Sequence, residues 1–154
     1  TIFPGDMDIH IRALSFEYNW EQFQFISEYS RYDTVFRNIF APGLTKKRES
    51  KGYYFQLGWQ LNEKLRLFSR YDVYYPDRND KSGSGQLLLG RPKSDGFLKD
   101  SVVGAQYNFS KHWMLAGEAH FLRGTAALAE IENPVASQVK ENWDLYTVQL
   151  SYKF

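Results

Sequence analysis

The segment 52–75 reads GYYFQLGWQLNEKLRLFSRYDVYY, and its two-residue period decides the fold. Apolar and polar side chains alternate through 51–61 and again through 64–75, with Asn62-Glu63 between the two runs. Because successive side chains of a β-strand point to opposite sides of a sheet, each run predicts a strand with one apolar and one polar face. Two such strands around a short polar connection predict a β-hairpin.

The same period recurs along the rest of the chain, where helical spacing is hard to find. Seven strands are predicted, at 8–18, 22–32, 51–61, 64–75, 100–109, 113–123 and 142–154. Tight turns at 19–21, 62–63 and 110–112 alternate with long connections at 33–50, 76–99 and 124–141. In the first strand, His10 and Arg12 share the parity of the apolar residues Leu14 and Phe16, so a β-bulge near Ala13 is predicted.

The composition excludes several classes of function. The formal net charge of +1 gives no reason to expect a nucleic-acid partner. The chain has no cysteine, which excludes disulfides and thiolate chemistry. Aromatic residues make up 18% of the chain, yet no run approaches the roughly 18 apolar residues of a membrane helix. The first residues do not resemble a signal peptide, so we expect any such segment to lie upstream or to have been removed.

Two architectures use alternating strands, a soluble β-sandwich and a transmembrane β-barrel, and alternation alone does not separate them. The predicted strands run to about 10–13 residues, near the length that crosses a bilayer when tilted, whereas soluble strands average about 5–6. Aromatic residues, which favour membrane interfaces, also gather at both strand ends. They are Tyr18, Trp20, Trp59, Phe109 and Trp113 beside the tight turns, and Tyr32, Tyr53, Tyr74, Tyr75, Phe121 and Trp143 beside the long connections. The sequence therefore predicts an all-β protein, an antiparallel transmembrane β-barrel.

The last nine residues, YTVQLSYKF, resemble the closing strand of Gram-negative outer-membrane β-barrel proteins. The matching positions are Tyr146, Val148, Leu150, Tyr152 and Phe154. The resemblance implies a location in the bacterial outer membrane, contact with its lipid and lipopolysaccharide, and recognition of this strand as an assembly signal by the outer-membrane assembly machinery. The segment 52–75, GYYFQLGWQLNEKLRLFSRYDVYY, and a final strand that follows a polar loop are also similar to general porins and to phosphate-selective porins of the O and P type.

The strand count predicts that 1–154 is a segment of a larger protein. Bacterial single-chain barrels have an even number of strands, and seven are counted here. We therefore expect these to be the seven C-terminal strands of a larger barrel, with its N-terminal strands upstream.

The predicted function is a porin-like channel for passive diffusion of ions and other small hydrophilic solutes. The resemblance to porins also implies that the protein forms a homo-oligomer. In a barrel of this kind the polar strand faces line the lumen. Strand parity predicts the pore-lining residues Glu28, Gln56, Gln60, Arg66, Arg70, Asp72, Gln106, Glu118, His120, Gln149 and Lys153. Arg66 and Arg70 either form a ladder that attracts anions or are neutralised by salt bridges with Glu28 or Glu118. Asp72 has two candidate partners, Arg70 or a residue on a neighbouring strand.

Two other functions stay open. One is a non-transporting barrel with a structural or partner-binding role, which strand number would discriminate because about eight strands leave a filled interior. The other is an outer-membrane hydrolase using His120 and Glu118, but no G-x-S-x-G elbow is present. We expect no enzyme, no catalytic residue, no cofactor and no metal. The basic run 46–48 is interpreted as a solvated loop tip, or as a contact for phosphates or anionic solutes. The segment 77–83, DRNDKSG, is interpreted as a flexible loop in preference to a calcium site.

Overall fold

The computed structural model describes residues 5–128 and 139–154, which form one antiparallel β-sheet. Each strand pairs with the next in the sequence, so the spatial order is β1 to β7 and the outer strands β1 and β7 are not paired with each other. The strands are β1 Asp6–Trp20, β2 Phe23–Arg37, β3 Thr45–Gln60, β4 Leu65–Tyr75, β5 Leu98–Asn108, β6 Trp113–Gly124 and β7 Asn142–Tyr152. A short helix α1, Ser84–Leu88, and a 3-10 turn, Lys93–Gly96, lie between β4 and β5. None of the described helices is long and apolar enough to span a bilayer.

The prediction of seven antiparallel strands is confirmed, but the first long connection is not where the sequence placed it. Most of the interval 33–50 is strand, and only 38–44 connects β2 to β3. Asp33 pairs with Glu49 and Val35 with Lys47 in unbroken register. The polar composition of this interval made it resemble a loop, whereas in the sheet Asp33, Arg37 and Glu49 form ion pairs.

The predicted bulge near Ala13 is also wrong. The pairing of β1 with β2 runs without interruption from Asp6 opposite Arg37 to Trp20 opposite Phe23. His10 and Arg12 therefore lie on the same side of the sheet as Leu14 and Phe16. The side of β1 that is apolar near the tight turn becomes charged towards the other end.

Local side-chain hydrogen bonds fix the tight turns. The Asn62 side-chain oxygen accepts hydrogen bonds from the backbone N–H groups of Lys64 and Leu65, at 2.9 and 3.0 Å. Ser110 Oγ accepts from the N–H groups of His112 and Trp113, both at 3.2 Å. Short polar side chains favour turns because they bond to backbone groups a few residues away.

The connection 76–97 packs a small apolar cluster at its end of the sheet. Val73, Tyr75 and Phe97 are buried against one another, with Tyr53 half-buried beside them. This cluster lies at the long-connection end of the sheet, where a cavity is also found.

One close approach across β4 and β5 gives a stability prediction. A Cβ added at Gly104 would meet the ring of Phe68 at 2.3 Å, so we expect Gly104→Ala to destabilise the protein by about 1–3 kcal/mol through overpacking. The matched control is Gly117→Ala on β6, where the nearest atom, the Thr147 carbonyl oxygen, is 3.8 Å away. Urea titrations of both variants measure the difference. Equal unfolding free energies would contradict the contact.

Candidate functional site

The strand register separates the side chains into two faces of different chemistry. One of them, called here the apolar face, is largely uncovered, with Leu14 73% and Val148 80% exposed. Directly paired residues share a face, so the pairings identify its members on every strand. The apolar face includes Leu14, Phe16, Tyr18, Trp20, Phe23, Phe25, Tyr29, Tyr53, Phe55, Leu57, Trp59, Leu67, Tyr71, Val103, Leu115, Phe121, Tyr146, Val148, Leu150 and Tyr152.

Aromatic rings line the tight-turn edge of the apolar face. Trp20 stacks on Phe23 with ring centroids 6.1 Å apart, and Phe23 stacks on Trp59 at 5.9 Å. On the far strands, Trp113 lies 4.8 Å from Tyr152. These contacts form a row of large rings beside the turns.

The aromatic set expected at the other end is divided between the two faces. Tyr53, Tyr75 and Phe121 lie on the apolar face. Tyr32, Tyr74 and Trp143 have the opposite parity and lie on the polar face. Trp143 uses its indole N–H to donate to the Gly124 carbonyl at 3.0 Å. Proximity to a strand end was enough to select these aromatic residues from the sequence. The strand register shows which of them lie on the apolar face and which on the polar face.

A charged band continues the apolar face towards the connection 38–44. Asp33 forms ion pairs with Arg31 at 2.9 Å and with Arg78 at 3.8 Å. Arg37 pairs with Asp8 at 2.6 Å. The apolar surface therefore ends at a zone of paired charges on β1, β2 and β3.

The opposite side of the sheet, called here the polar face, collects the side chains predicted from strand parity. They are Glu28, Gln56, Gln60, Arg66, Arg70, Asp72, Gln106, Glu118, His120 and Gln149. Lys153 lies beyond the end of β7, where its backbone N–H donates to the His112 carbonyl at 2.8 Å. The register thus brings ten of these eleven residues onto one face.

The two arginines of β4 use partners close to them. Arg70 Nε donates to Asp72 at 2.7 Å, which confirms one of the two pairings considered for Asp72. Arg66 donates to the Gln24 side-chain oxygen and lies over Gly58. Salt bridges of Arg66 or Arg70 with Glu28 or Glu118 do not form in the described chain, so that hypothesis is wrong. Arg70 pairs within its own strand and Arg66 reaches over Gly58 of β3 to Gln24 on β2, so both guanidinium groups stay on the polar face.

A hydrogen-bonded cluster lies at the centre of the β5–β6 part of this face. His120 Nδ1 is 2.7 Å from Asp100 Oδ2, and His120 Nε2 is 3.1 Å from Glu118 Oε2. His120 and Asp100 are 9% and 8% exposed. Asp100 is also directly opposite Asp72, which is itself paired with Arg70. Like charges opposite one another are unfavourable, so each acid needs the base beside it.

Asp100 was not among the predicted site residues. It has the same parity as Gln106 within the predicted strand 100–109. This shared parity is the sequence signal that could have placed Asp100 on the polar face. Its partner His120 is on another strand, and only the β5–β6 register shows that the two meet.

The cluster offers no metal site and no nucleophile. No group of three or more His, Asp or Glu side chains in 5–128 and 139–154 is arranged to hold a metal ion. Both ring nitrogens of His120 face carboxylate oxygens, and an imidazole donates from both nitrogens only when both carry a proton. A general base for a serine needs a free ring nitrogen that faces the serine hydroxyl group. Both ring nitrogens of His120 are instead occupied by Asp100 and Glu118, an arrangement typical of a structural hydrogen-bonded cluster.

A second candidate site is a cavity of about 580 Å³ at the long-connection end. It is lined from β3, from the connection 76–97 and from the described residues around 125–128 and 139. The basic residues Lys46, Lys47 and Arg48 line it, and they lie in β3 and not at a loop tip as the sequence suggested. The expected long connection 124–141 falls mainly on 129–138, outside the described residues.

In the segment 77–83, the carboxylates of Asp77 and Asp80 accept hydrogen bonds from nearby backbone N–H groups. Asp80 accepts hydrogen bonds from the N–H of Gly85 at 2.6 Å and of Ser84 at 3.0 Å. Asp77 accepts from the N–H of Asn79 at 2.8 Å. These bonds, above all that from Gly85, hold the pKa of Asp80 below its ordinary value. The segment is therefore a hydrogen-bonded turn before α1.

The lowered pKa of Asp80 predicts a pH dependence. A folded pKa below the unfolded value contributes stability above the unfolded pKa, about 3.9, and the contribution is lost as the pH falls through the folded pKa. We expect the amide protons of Ser84 and Gly85 to be protected at neutral pH and to lose protection in acid. Asp80→Ala, which removes both acceptor oxygens, should lose it at both pH values, and Asp77→Ala should keep it. Hydrogen-exchange protection factors, corrected for intrinsic rates, measure this.

The residues proposed as an assembly signal keep their common face. Tyr146, Val148, Leu150 and Tyr152 are exposed on the apolar side of β7. Phe154 follows the strand and packs edge-on against Tyr152 with ring centroids 5.3 Å apart.

Comparisons with known proteins return no matching family model, no matching curated protein and no matching solved structure.

Proposed function

We propose that this chain is part of a Gram-negative outer-membrane β-barrel and that the barrel is a porin-like channel for passive diffusion of small hydrophilic solutes. The observation that carries the proposal is the uncovered apolar face, backed on the same sheet by a face of amide and charged groups. A soluble protein rarely exposes a contiguous apolar patch larger than a few hundred Å². Lipid is the environment in which such a surface is stable without a protein cover.

Membrane insertion imposes a further requirement on the sheet. Unpaired backbone groups at a sheet edge cost several kcal/mol each in hydrocarbon, so only closed barrels span a bilayer with strands. The edges β1 and β7 do not pair with each other here. In the proposed barrel they pair with further strands of the same protein or of another subunit.

In the proposed channel, the polar face would line the pore. Its glutamines, together with the Arg70–Asp72 pair and Arg66, favour water over lipid and present both signs of charge to a passing solute. Fixed charges along a pore filter ions by attraction and repulsion. Lipid, lipopolysaccharide and the outer-membrane assembly machinery are the partners that the apolar face and the closing-strand pattern of β7 suggest.

A second candidate function rests on a different feature of the polar face. Val102 is 1% exposed, Leu122 is buried, and the ring of Phe68 fills the space above Gly104. This apolar packing favours a barrel whose interior is filled by side chains, as about eight-stranded barrels are. Such a protein would have a structural or partner-binding role and no transport activity.

Recording currents across a planar lipid bilayer tests the proposal. The folded protein should produce discrete conductance steps, and Arg66→Gln should shift the ion selectivity towards cations. Lys111→Gln, which removes the same charge in the β5–β6 turn, should leave selectivity unchanged. A folded, inserted barrel that gives no steps would contradict the channel and support the filled-interior alternative.

A further inference from the structure

The cavity at the long-connection end has a surplus of positive charge that its own residues do not neutralise. Lys46, Lys47 and Arg48 are exposed and consecutive, and all three line it. Within the described ranges, none of them forms an ion pair, and Arg48 reaches only the Tyr74 hydroxyl at 3.5 Å. Lys46 and Arg48 project to one side of β3 and Lys47 to the other, so two basic side chains of the run are available together to one ligand.

The acidic residues of the same cavity are already engaged. Glu49 forms an ion pair with Arg78 at 2.5 Å, and Asp95 with Arg91 at 3.5 Å. Asp77 accepts a backbone hydrogen bond at 2.8 Å. The ion-paired carboxylates of Glu49 and Asp95 contribute little net field at a distance. Asp77 keeps its charge, because a backbone N–H does not neutralise a carboxylate, but the three cations of the basic run outnumber it in the cavity lining.

Aromatic rings lie directly beside these cations. Phe36 is opposite Lys46 in the β2–β3 register. Phe36 and Phe40 pack edge to face with ring centroids 5.6 Å apart, and Lys46 Nζ lies 5.3 Å from the centre of the Phe40 ring. Phe40 is 55% exposed, so one side of the aromatic pair is available for a further ring. Lys46 and Arg48 are two residues apart on β3 and project to the same side.

We propose that this cavity binds an organic anion with an aromatic body, of the arylcarboxylate class. The carboxylate would take charge-assisted hydrogen bonds from Lys46 and Arg48, and its ring would pack against Phe36 and Phe40. The volume of about 580 Å³ is within the range of about 300–1,000 Å³ typical of small-molecule sites. Binding does not depend on the channel, so a silent bilayer recording leaves this proposal standing, and failure to bind leaves the channel standing.

The test uses 2-naphthoate as probe and measures its binding to the folded protein by isothermal titration calorimetry. Two further probes separate the contributions: naphthalene-2-carboxamide keeps the rings without the charge, and acetate keeps the charge without the rings. We expect saturable binding of 2-naphthoate, with each of the other probes at least about tenfold weaker, a factor that corresponds to one good interaction. Raising the salt concentration should weaken 2-naphthoate binding, because exposed charges are screened.

Variants identify the residues. The double variant Lys46→Gln/Arg48→Gln should weaken 2-naphthoate binding by about tenfold or more, and Phe40→Ala by about two- to tenfold. Lys64→Gln, which removes a cation from the β3–β4 turn at the other end of the sheet, is the matched control and should bind as the parent does. Phe40 is exposed, so its variant keeps the site testable if the double variant does not fold.

Three results would each overturn the proposal. The first is the absence of saturable 2-naphthoate binding. The second is equal affinity for the neutral carboxamide, which would leave only non-specific apolar contact. The third is a loss of 2-naphthoate affinity in Lys64→Gln as large as the loss in the double variant, because the affinity would then depend on the overall charge of the protein and not on the cavity.

Discussion

Replacing His120 by alanine is expected to lower the free energy of unfolding by about 3–5 kcal/mol, the cost of leaving a buried charge without its partner. The Asp100 side chain is 12% exposed, and among residues 5–128 and 139–154 its side chain has one polar contact, between Oδ2 and His120. Its other oxygen, Oδ1, is buried with no hydrogen-bond partner in the same part of the chain. Without the imidazole, Asp100 would face Asp72 directly across the β4–β5 pair, with no base beside it.

A double variant separates this effect from the loss of packing. Asp100→Asn/His120→Ala removes the carboxylate charge that His120→Ala leaves without its hydrogen-bond partner, so it should be more stable than His120→Ala alone. Reversible urea unfolding in lipid vesicles gives the three free energies. If the double variant is the less stable of the two by the full cost of a second deletion, the two residues act independently and the cluster is not an energetic unit.

Replacing Leu57 by arginine is expected to cost about 2–4 kcal/mol in a lipid bilayer, the cost of a cation on the lipid-facing side of a barrel. Leu57 is 49% exposed and lies within the apolar stretch of β3 that runs from Tyr53 to Trp59, between Phe55 and Trp59 on the apolar face. At a water-exposed position of a soluble sheet, the same change would fall within about 0.5 kcal/mol. The substitution therefore separates a lipid-facing surface from a solvated one.

The control is a charge of the same kind on the polar face. Thr147 is opposite Glu118 in the β6–β7 register, so Thr147→Arg places a cation near an acid and should change stability little. Unfolding by urea in phospholipid vesicles measures both variants. Equal stability of Leu57→Arg and the parent protein would reject lipid contact at this face, and with it the proposed location in the membrane.

Much of the fold was predictable because its determinants are local. The period of two in 51–61 and 64–75 and the polar pair Asn62-Glu63 specify a hairpin without reference to the rest of the chain. Strand ends were harder, since 33–37 and 45–50 have the composition of a loop and are strand because they pair with each other. The bulge near Ala13 was inferred from a change of polarity, which the sheet accommodates with a charged band in unbroken register.

The candidate sites were also predictable only in part from the sequence. Parity alone put Glu118 and His120 on one face, because they are two residues apart on a single strand. It did not put Asp100 against His120, and it did not choose Asp72 over Glu118 as the partner of Arg70. The cavity around Lys46 was also beyond reach, since its walls come from segments separated by up to about two thirds of the chain.

The sequence by itself determined the strands, their two faces and the tight turns, because alternation and turn chemistry act over a few neighbouring residues. Only the tertiary structure decided which charged side chains meet, how far β2 and β3 extend and where the basic run forms a cavity with Phe36 and Phe40. Those outcomes depend on strand register and on distances between residues remote in the chain. The free energy of such contacts is set by partners that no local pattern contains.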